Sequence, residues 1–483
     1  MITRELRCDL LRDVERAAAQ RFDLVVVGGG ILGATTALLA AAGGLATVLV
    51  EREDFGGGAT WNSLRILHGG LRALQRLDLA GYREAARESA FLASAFPELV
   101  EPLACVLPLD GRGAWRRPLA AAAVAAERLL AGASAAGAPR ARLIDAAQLR
   151  RMHPGGDGAS AGLLWHDALL PRPGRLVIET LRWAASVGAV ALSRVEALHP
   201  LVSGGRIEGI VARDRVSGST LELRACAVAW CAGTACPAEP LARDRSRPRP
   251  PRVLAFNLLL ARELPAGRAL AVRSPGGPAF FLVPVAGATL AGTRYVAEAE
   301  RPSPADIERF VGELAAAAPF LALEPGAVLR VLAGHQPAAG PGALEPARRA
   351  VHHDHSGPPG PRGLYCAWPV KLTTARCEAE RLLRRLAPER AATGLPSRPE
   401  PRRVPGAEEA TRLASGEPAG LAAVAARLAA EECVIEGDDL LLRRTDWALD
   451  PRRSPLLEGA LGGVISGLGP RHAFGAHRTA RKP

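Results

Sequence analysis

The residues from Phe22 to Glu51, FDLVVVGGGILGATTALLAAAGGLATVLVE, hold a strand, a tight turn, a helix and a second strand with nothing between them. Leu24 to Val27 is a short apolar run of the kind a parallel sheet buries. It stops at Gly28-Gly29-Gly30, where residues without a Cβ can turn tightly and let a pyrophosphate approach. Gly33 completes G-x-G-x-x-G. Ala34 to Ala42 is a strong helix former, so the N–H groups that open it, those of Ile31 and Leu32 included, would face the phosphates at the positive end of the helix dipole. Ala46 to Val50 predicts the second strand, and Glu51 at its tip, 18 positions past Gly33, can accept hydrogen bonds from ribose hydroxyls. In a chain with 51 glycines the spacing alone is a weak signal. Strand before, helix after and acid at the second tip make it a dinucleotide cradle, with FAD and NAD both open at this point.

A chain of 483 residues divides into two or three domains, because single cores stop growing near 250 to 300 residues. The first twenty residues carry Glu5, Asp9, Asp13 and Glu15 where a signal peptide would be apolar, so a cytoplasmic location is expected. Eight cysteines form no C-x-x-C pair, and Cys226, Cys231 and Cys236 lack neighbouring ligands, so no metal is expected.

The net charge of +12 is almost all arginine and is spread along the chain, Lys371 and Lys482 being the two lysines. Two clusters exceed that background: Arg243, Arg245, Arg247, Arg249 and Arg252 in a Pro-rich loop, and the tail after Asp450. No recognition fold or aromatic platform accompanies them, so nucleic acid is excluded as a partner, and an anionic membrane surface, met peripherally at its inner face, is the candidate.

After Glu51 come Arg52 and a glycine-rich loop, then Thr60, Ser63, Arg65 and His68-Gly69-Gly70-Leu71-Arg72. A helix predicted from Leu79 to Ala95 and the segments Pro97-Glu98-Leu99-Val100 and Leu107-Pro108-Leu109 follow. Further on, Val370-Lys371-Leu372-Thr373-Thr374-Ala375-Arg376 opens a helix that runs to about Leu386. Together these segments resemble the flavin-dependent glycerol-3-phosphate dehydrogenase family, within the wider D-amino-acid-oxidase-like group of FAD oxidoreductases. The resemblance covers roughly residues 20 to 450.

It implies an α/β fold: a discontinuous Rossmann-like FAD-binding domain (20–100, 146–250 and 334–388), an α+β substrate domain (251–333) and a small C-terminal helical domain (409–450). A helical insertion (101–145), a linker (389–408) and a basic flexible tail (451–483) complete the reading. It further implies that FAD is held by the cradle, Glu51, Arg52, Thr60, Ser63, His68-Gly69-Gly70, Val195 and Gly233 after the strand ending at Trp230, with Lys371, Thr373 and Thr374 at the flavin's polar edge.

Departures fall on the substrate side. The family's Ala-Gly-x-Arg-Pro-Leu reads Ala333-Gly334-His335-Gln336-Pro337-Ala338, the family's Gly-Thr-Thr-Asp is lost at Gly292-Thr293-Arg294-Tyr295, and Val370 replaces a glycine. An amide cannot replace the charge of a guanidinium that grips a phosphate dianion. The expectation is therefore an FAD enzyme moving hydride from a CH–OH or CH–NH carbon of a small alcohol, hydroxy acid or amine to flavin, then to quinone or oxygen. Gln336 faces that substrate, His335 is the candidate base, Arg294 a substitute cation, and Lys371 stabilises the reduced flavin. Three alternatives stay open: an authentic quinone-linked glycerol-3-phosphate dehydrogenase, a non-redox flavin-binding accessory protein, and a nicotinamide-linked enzyme.

Overall fold

The computed structural model describes residues 21–74, 78–109, 116–130, 140–235, 249–264, 267–274, 277–297, 299–356, 360–390 and 394–468. The arginines at 243, 245 and 247 and the tail beyond 468 lie outside them. Two sheets carry the chain. In the first, β1 (Phe22–Val27) pairs in parallel with β2 (Thr47–Glu51) on one side and with β3 (Thr220–Trp230) on the other. Val190–Ser193 extends the sheet beyond β2, and Leu364–Trp368 then Val351–Asp354 extend it beyond β3.

The two-residue period of β1 and β2 explains the layers. Leu24, Val26 and Leu49 point into a helical layer of α1 (Ile31–Ala42), α2 (Leu79–Ala95), α3 (Pro173–Ser186) and α4 (Ala375–Leu386). Val25, Val27, Val48 and Val50 point the other way, onto a meander containing Val195, Ile207, Ile210 and Leu221. Both faces being covered is why these strands read as continuous apolar runs.

Among the described residues the second sheet has nine strands. β4 (Arg252–Leu260) lies between β6 (Ala288–Ala297) and β7 (Val328–Pro337), and β5 (Ala279–Val285) follows β6. One face packs Phe256, Leu258, Phe280 and Leu282 against Phe310 and Leu314 of the helix Pro304–Ala317, which starts with a Ser303–Asp306 capping box. The other face presents Leu259, Val283, Leu290 and Leu332 to the C-terminal helices and Trp447.

This sheet corrects the expected boundaries. The strands Glu101–Pro108 and Arg142–Asp145 stand where a helical insertion was expected, Arg117–Leu130 being the helical part, and Ala161–Leu169 stands inside the expected second piece of the cofactor domain. All three strands pair into the nine-stranded sheet. Isolated alternation could not show which sheet they would join. Residues 454–465, expected as flexible tail, form a helix that buries Leu457 and Leu461 against the C-terminal helices. No helix among the described residues is long and apolar enough to cross a membrane.

Candidate functional site

β1 ends at the glycine turn because the next strand over leaves no room for side chains. Gly28 has φ +108°, and a Cβ there would lie 2.7 Å from Ala232; a Cβ on Gly33 would lie 1.8 Å from the Gly28 carbonyl oxygen. Cys231 N–H donates to Val27 O at 2.8 Å, so Ala232 and Gly233 run directly beside the turn. Gly30 is the N-cap of α1 and its side of the helix carries no side-chain cap, an end suited to receive an anion, with Ile31 N–H reaching Thr60 Oγ1 at 3.3 Å. Leu32 packs into the helical layer.

Glu51 accepts from Gly29 N–H at 2.7 Å and from Glu53 N–H at 2.9 Å. Enclosure pushes its carboxyl pKa up, and the two N–H bonds and Arg52 act against that rise. Arg52 itself is exposed. Val195 does not line this surface through its side chain, which is core beneath β1 and β2. The hydroxyls of Ser63 and Thr234 are buried without a protein partner, on the loop after the cradle and beside Gly233. A narrow glycine turn, uncapped helix amides, an acid and these two hydroxyls fit a dinucleotide of FAD's length.

His68 and Asp167 form a pair that sequence reading did not foresee. His68 Nδ1 lies 3.0 Å from Asp167 Oδ2, Gly69 N–H donates to Oδ1 at 2.8 Å, and the Trp165 indole N–H donates to Oδ2 at 3.1 Å. Burial alone would raise the Asp167 pKa, yet His68 and these donors hold it below the usual carboxylate range. A charged Asp167 is the acceptor that an Nδ1–H would need, an arrangement that would turn Nε2 toward the open side of the ring. The imidazole is about one-third exposed and sits 6.1 Å from the Phe281 ring of β5. A lone aspartate in the aromatic strand Ala161–Leu169 was the available signal.

β7 separates the four expected catalytic residues. A Cβ on Gly334 would meet Ala59 Cα at 2.6 Å, and Gln336 Nε2 donates to Val370 O at 3.1 Å. Those alternate residues face the cofactor layer. His335, between them, faces the opposite side, with Nε2 2.8 Å from Ala299 O. Arg294 also lies on that far side, paired with Glu313 of the Pro304–Ala317 helix at 3.2 Å. His335 and Arg294 thus stand on the face of this sheet opposite Gln336. Lys371 is exposed and precedes α4, which starts at Ala375 rather than at the lysine; Thr373 is buried and Thr374 is the N-cap.

Asn257 joins the two layers instead. It is buried within β4, donates to Asn62 O at 2.8 Å and accepts from Thr293 Oγ1 at 2.9 Å. One amide in the apolar run Val253 to Leu260 was its signal. Away from this site Glu84, Cys377 and Glu378 approach within 4.8 Å of one another, but the Arg381 guanidinium donates to both carboxylates.

Comparison with known proteins agrees with this arrangement. The FAD dependent oxidoreductase family, DAO, matches residues 23–369. A glycerol-3-phosphate dehydrogenase of Mycobacterium leprae (strain TN) is 32% identical over 213 residues, which is 44% of this chain and 36% of that protein. An aerobic glycerol-3-phosphate dehydrogenase of Staphylococcus saprophyticus is 30% identical over 214 residues, 43% of this chain and 37% of that one. The matches thus span a little over a third of these relatives' length. The glycerol-3-phosphate dehydrogenase from Bacillus halodurans, solved in complex with FAD, superposes with a TM-score of 0.68 at 19% identity, covering 96% of this chain and 94% of that one. Glycine oxidase from Geobacillus kaustophilus superposes with a TM-score of 0.57 at 18% identity, covering 80% and 100%. Cradle, second glycine turn and family match lead to one assignment: the chain belongs to the DAO family of FAD-dependent oxidoreductases.

Proposed function

We propose that this FAD-dependent oxidoreductase oxidises a small molecule at a CH–OH or CH–NH carbon, and that the substrate carries no phosphate monoester. The observation that carries the second half is Gln336. An uncharged amide, already donating to Val370 O, stands on the cofactor-facing side of β7, while Arg294 is engaged by Glu313 on the far side. A phosphate dianion there would lack the bidentate cation its charge calls for.

Bound FAD supplies the acceptor for a hydride leaving the substrate carbon. The glycine turn, the head of α1, Glu51, Thr60, Ser63 and Gly233 would hold it. Lys371, with Thr373 and Thr374 before α4, would balance negative charge at the cofactor's polar edge. His68 Nε2 would take the proton from the substrate O–H or N–H, with Asp167 orienting the ring. Asp167→Asn removes that charge at nearly constant shape, so kcat is expected to fall about 100-fold or more, the usual worth of a well-held base. Steady-state kinetics checks this; an Asp167→Asn enzyme with unchanged kcat would remove His68 from the mechanism.

Anaerobic mixing of the FAD-loaded protein with small polyols, hydroxy acids, amines and their phosphates tests the reading. Bleaching of the yellow band by an unphosphorylated compound is expected. Bleaching by none would favour a flavin-binding accessory protein, and bleaching by a reduced nicotinamide would favour a nicotinamide-linked enzyme. Quinone and oxygen are the proposed acceptors, separable by reoxidation of the bleached protein with each.

A further inference from the structure

We propose that the C-terminal helical unit is a working part of the cofactor site, with Arg444 and Asp446 as positioning residues for the loop Arg52–Arg65. That loop touches both sides of the site. Gly56 N–H donates to Gly29 O of the glycine turn at 2.9 Å, Thr60 accepts from the first turn of α1, and Ala59 packs on Gly334 two residues from Gln336. Its own turns are rich in glycine and give it little stiffness.

Its hold comes from the other end of the chain. Arg444 makes two bonds to the Asp54 carboxylate, at 2.5 and 2.8 Å, with both side chains buried. Asp446 accepts from the Trp61 indole N–H at 2.7 Å and pairs with Arg65 at 2.8 Å, and Arg65 also donates to Pro171 O. Arg65 and Asp446 are both in the left-handed region, with φ +68° and +56°, a conformation that non-glycine residues keep where surrounding contacts impose it. The strain, the burial and the charge pairing converge on one contact between residues 381 positions apart, 446 less 65. A contact serving the C-terminal unit's own fold would have no need of a loop whose far side meets the glycine turn.

The test uses the full chain. Asp446→Asn leaves an acceptor for Trp61 and removes the charge opposite Arg65. FAD affinity, titrated by flavin fluorescence well below the variant's own melting temperature, is expected to weaken about tenfold or more, which corresponds to about 1.4 kcal/mol. The visible spectrum of the bound flavin is expected to shift with it. If melting falls while affinity and spectrum stay those of the wild type, Asp446 is a purely structural residue and the proposal is overturned. Should Asp446→Asn not fold, Trp61→Phe removes one N–H donor and keeps the ion pair. A smaller weakening of FAD binding in that variant supports the proposal, and unchanged binding overturns it. Glu409→Gln, on the same helical unit but away from the loop, should leave both readouts unchanged; an equal effect there would also overturn it.

Discussion

Gly33→Ala is expected to give a folded but colourless protein. The added methyl would stand 1.8 Å from the Gly28 carbonyl oxygen, well inside any permitted contact, and that oxygen belongs to the turn whose backbone must approach the pyrophosphate. Either the turn opens or α1 moves off β1, and both take the first-turn amides out of line with the phosphates. A loss of FAD affinity of about 100-fold or more is expected, about 2.7 kcal/mol. Gly30→Ala provides the comparison, because its Cβ would meet only the Thr60 hydroxyl, at 3.2 Å, and a side chain can turn aside. Titration of both apo-variants with FAD checks the ranking. A yellow Gly33→Ala protein with wild-type affinity would mean that the phosphates lie elsewhere.

That cofactor turn was legible in the sequence because its requirements are local. Tight turn, helix dipole and acid all fall within the span Phe22 to Glu51, and the structure returns β1, α1 and β2 within a few residues of the expected limits. The helix Leu79–Ala95 has the expected ends, being marked by its own periodicity. Fold class was legible for the same reason.

The substrate side was not, and Arg294 shows why. Pairing of β4 with β6 shifts register between Phe256 and Leu258, so that Phe256 faces Arg294 while Leu258 faces Ala291. A one-residue shift exchanges the two faces of a strand. Arg294 thereby joins Phe256 on the side of Glu313, and no spacing within residues 288–297 announces that. His335 fails more simply. Adjacent strand residues point to opposite faces, so His335 and Gln336 cannot both meet one ligand. The pairing of Asp167 with His68 was hidden for the opposite reason: its partners, His68 and Gly69, are about a hundred positions away, and pairing of distant strands brings them together.

Gln336→Arg should exchange substrate preference, and it has the largest consequence for function. Gln336 donates to Val370 O on the side of β7 opposite His335, at the place where the resembling family carries an arginine, and two other candidate cations are engaged elsewhere: Arg294 with Glu313, and Arg65 with Asp446. A guanidinium introduced at residue 336 would add charge-assisted bonds to a phosphate dianion, roughly 1.5 to 3 kcal/mol, or about 10- to 100-fold in affinity. For an uncharged substrate the same group would be a poorly paired cation in a partly buried place and would weaken binding. The wild type is therefore expected to reduce its flavin slowly or not at all with glycerol 3-phosphate, and the variant to gain that reaction while losing rate with the unphosphorylated substrate. Anaerobic flavin reduction, followed for both proteins over a range of each substrate, separates the two signs. Rapid reduction of the wild type by glycerol 3-phosphate, saturating in the micromolar to low millimolar range usual for enzymes, would overturn the altered specificity. It would make the protein an authentic glycerol-3-phosphate dehydrogenase, with Arg294 or Arg65 released from its carboxylate partner to take over phosphate binding.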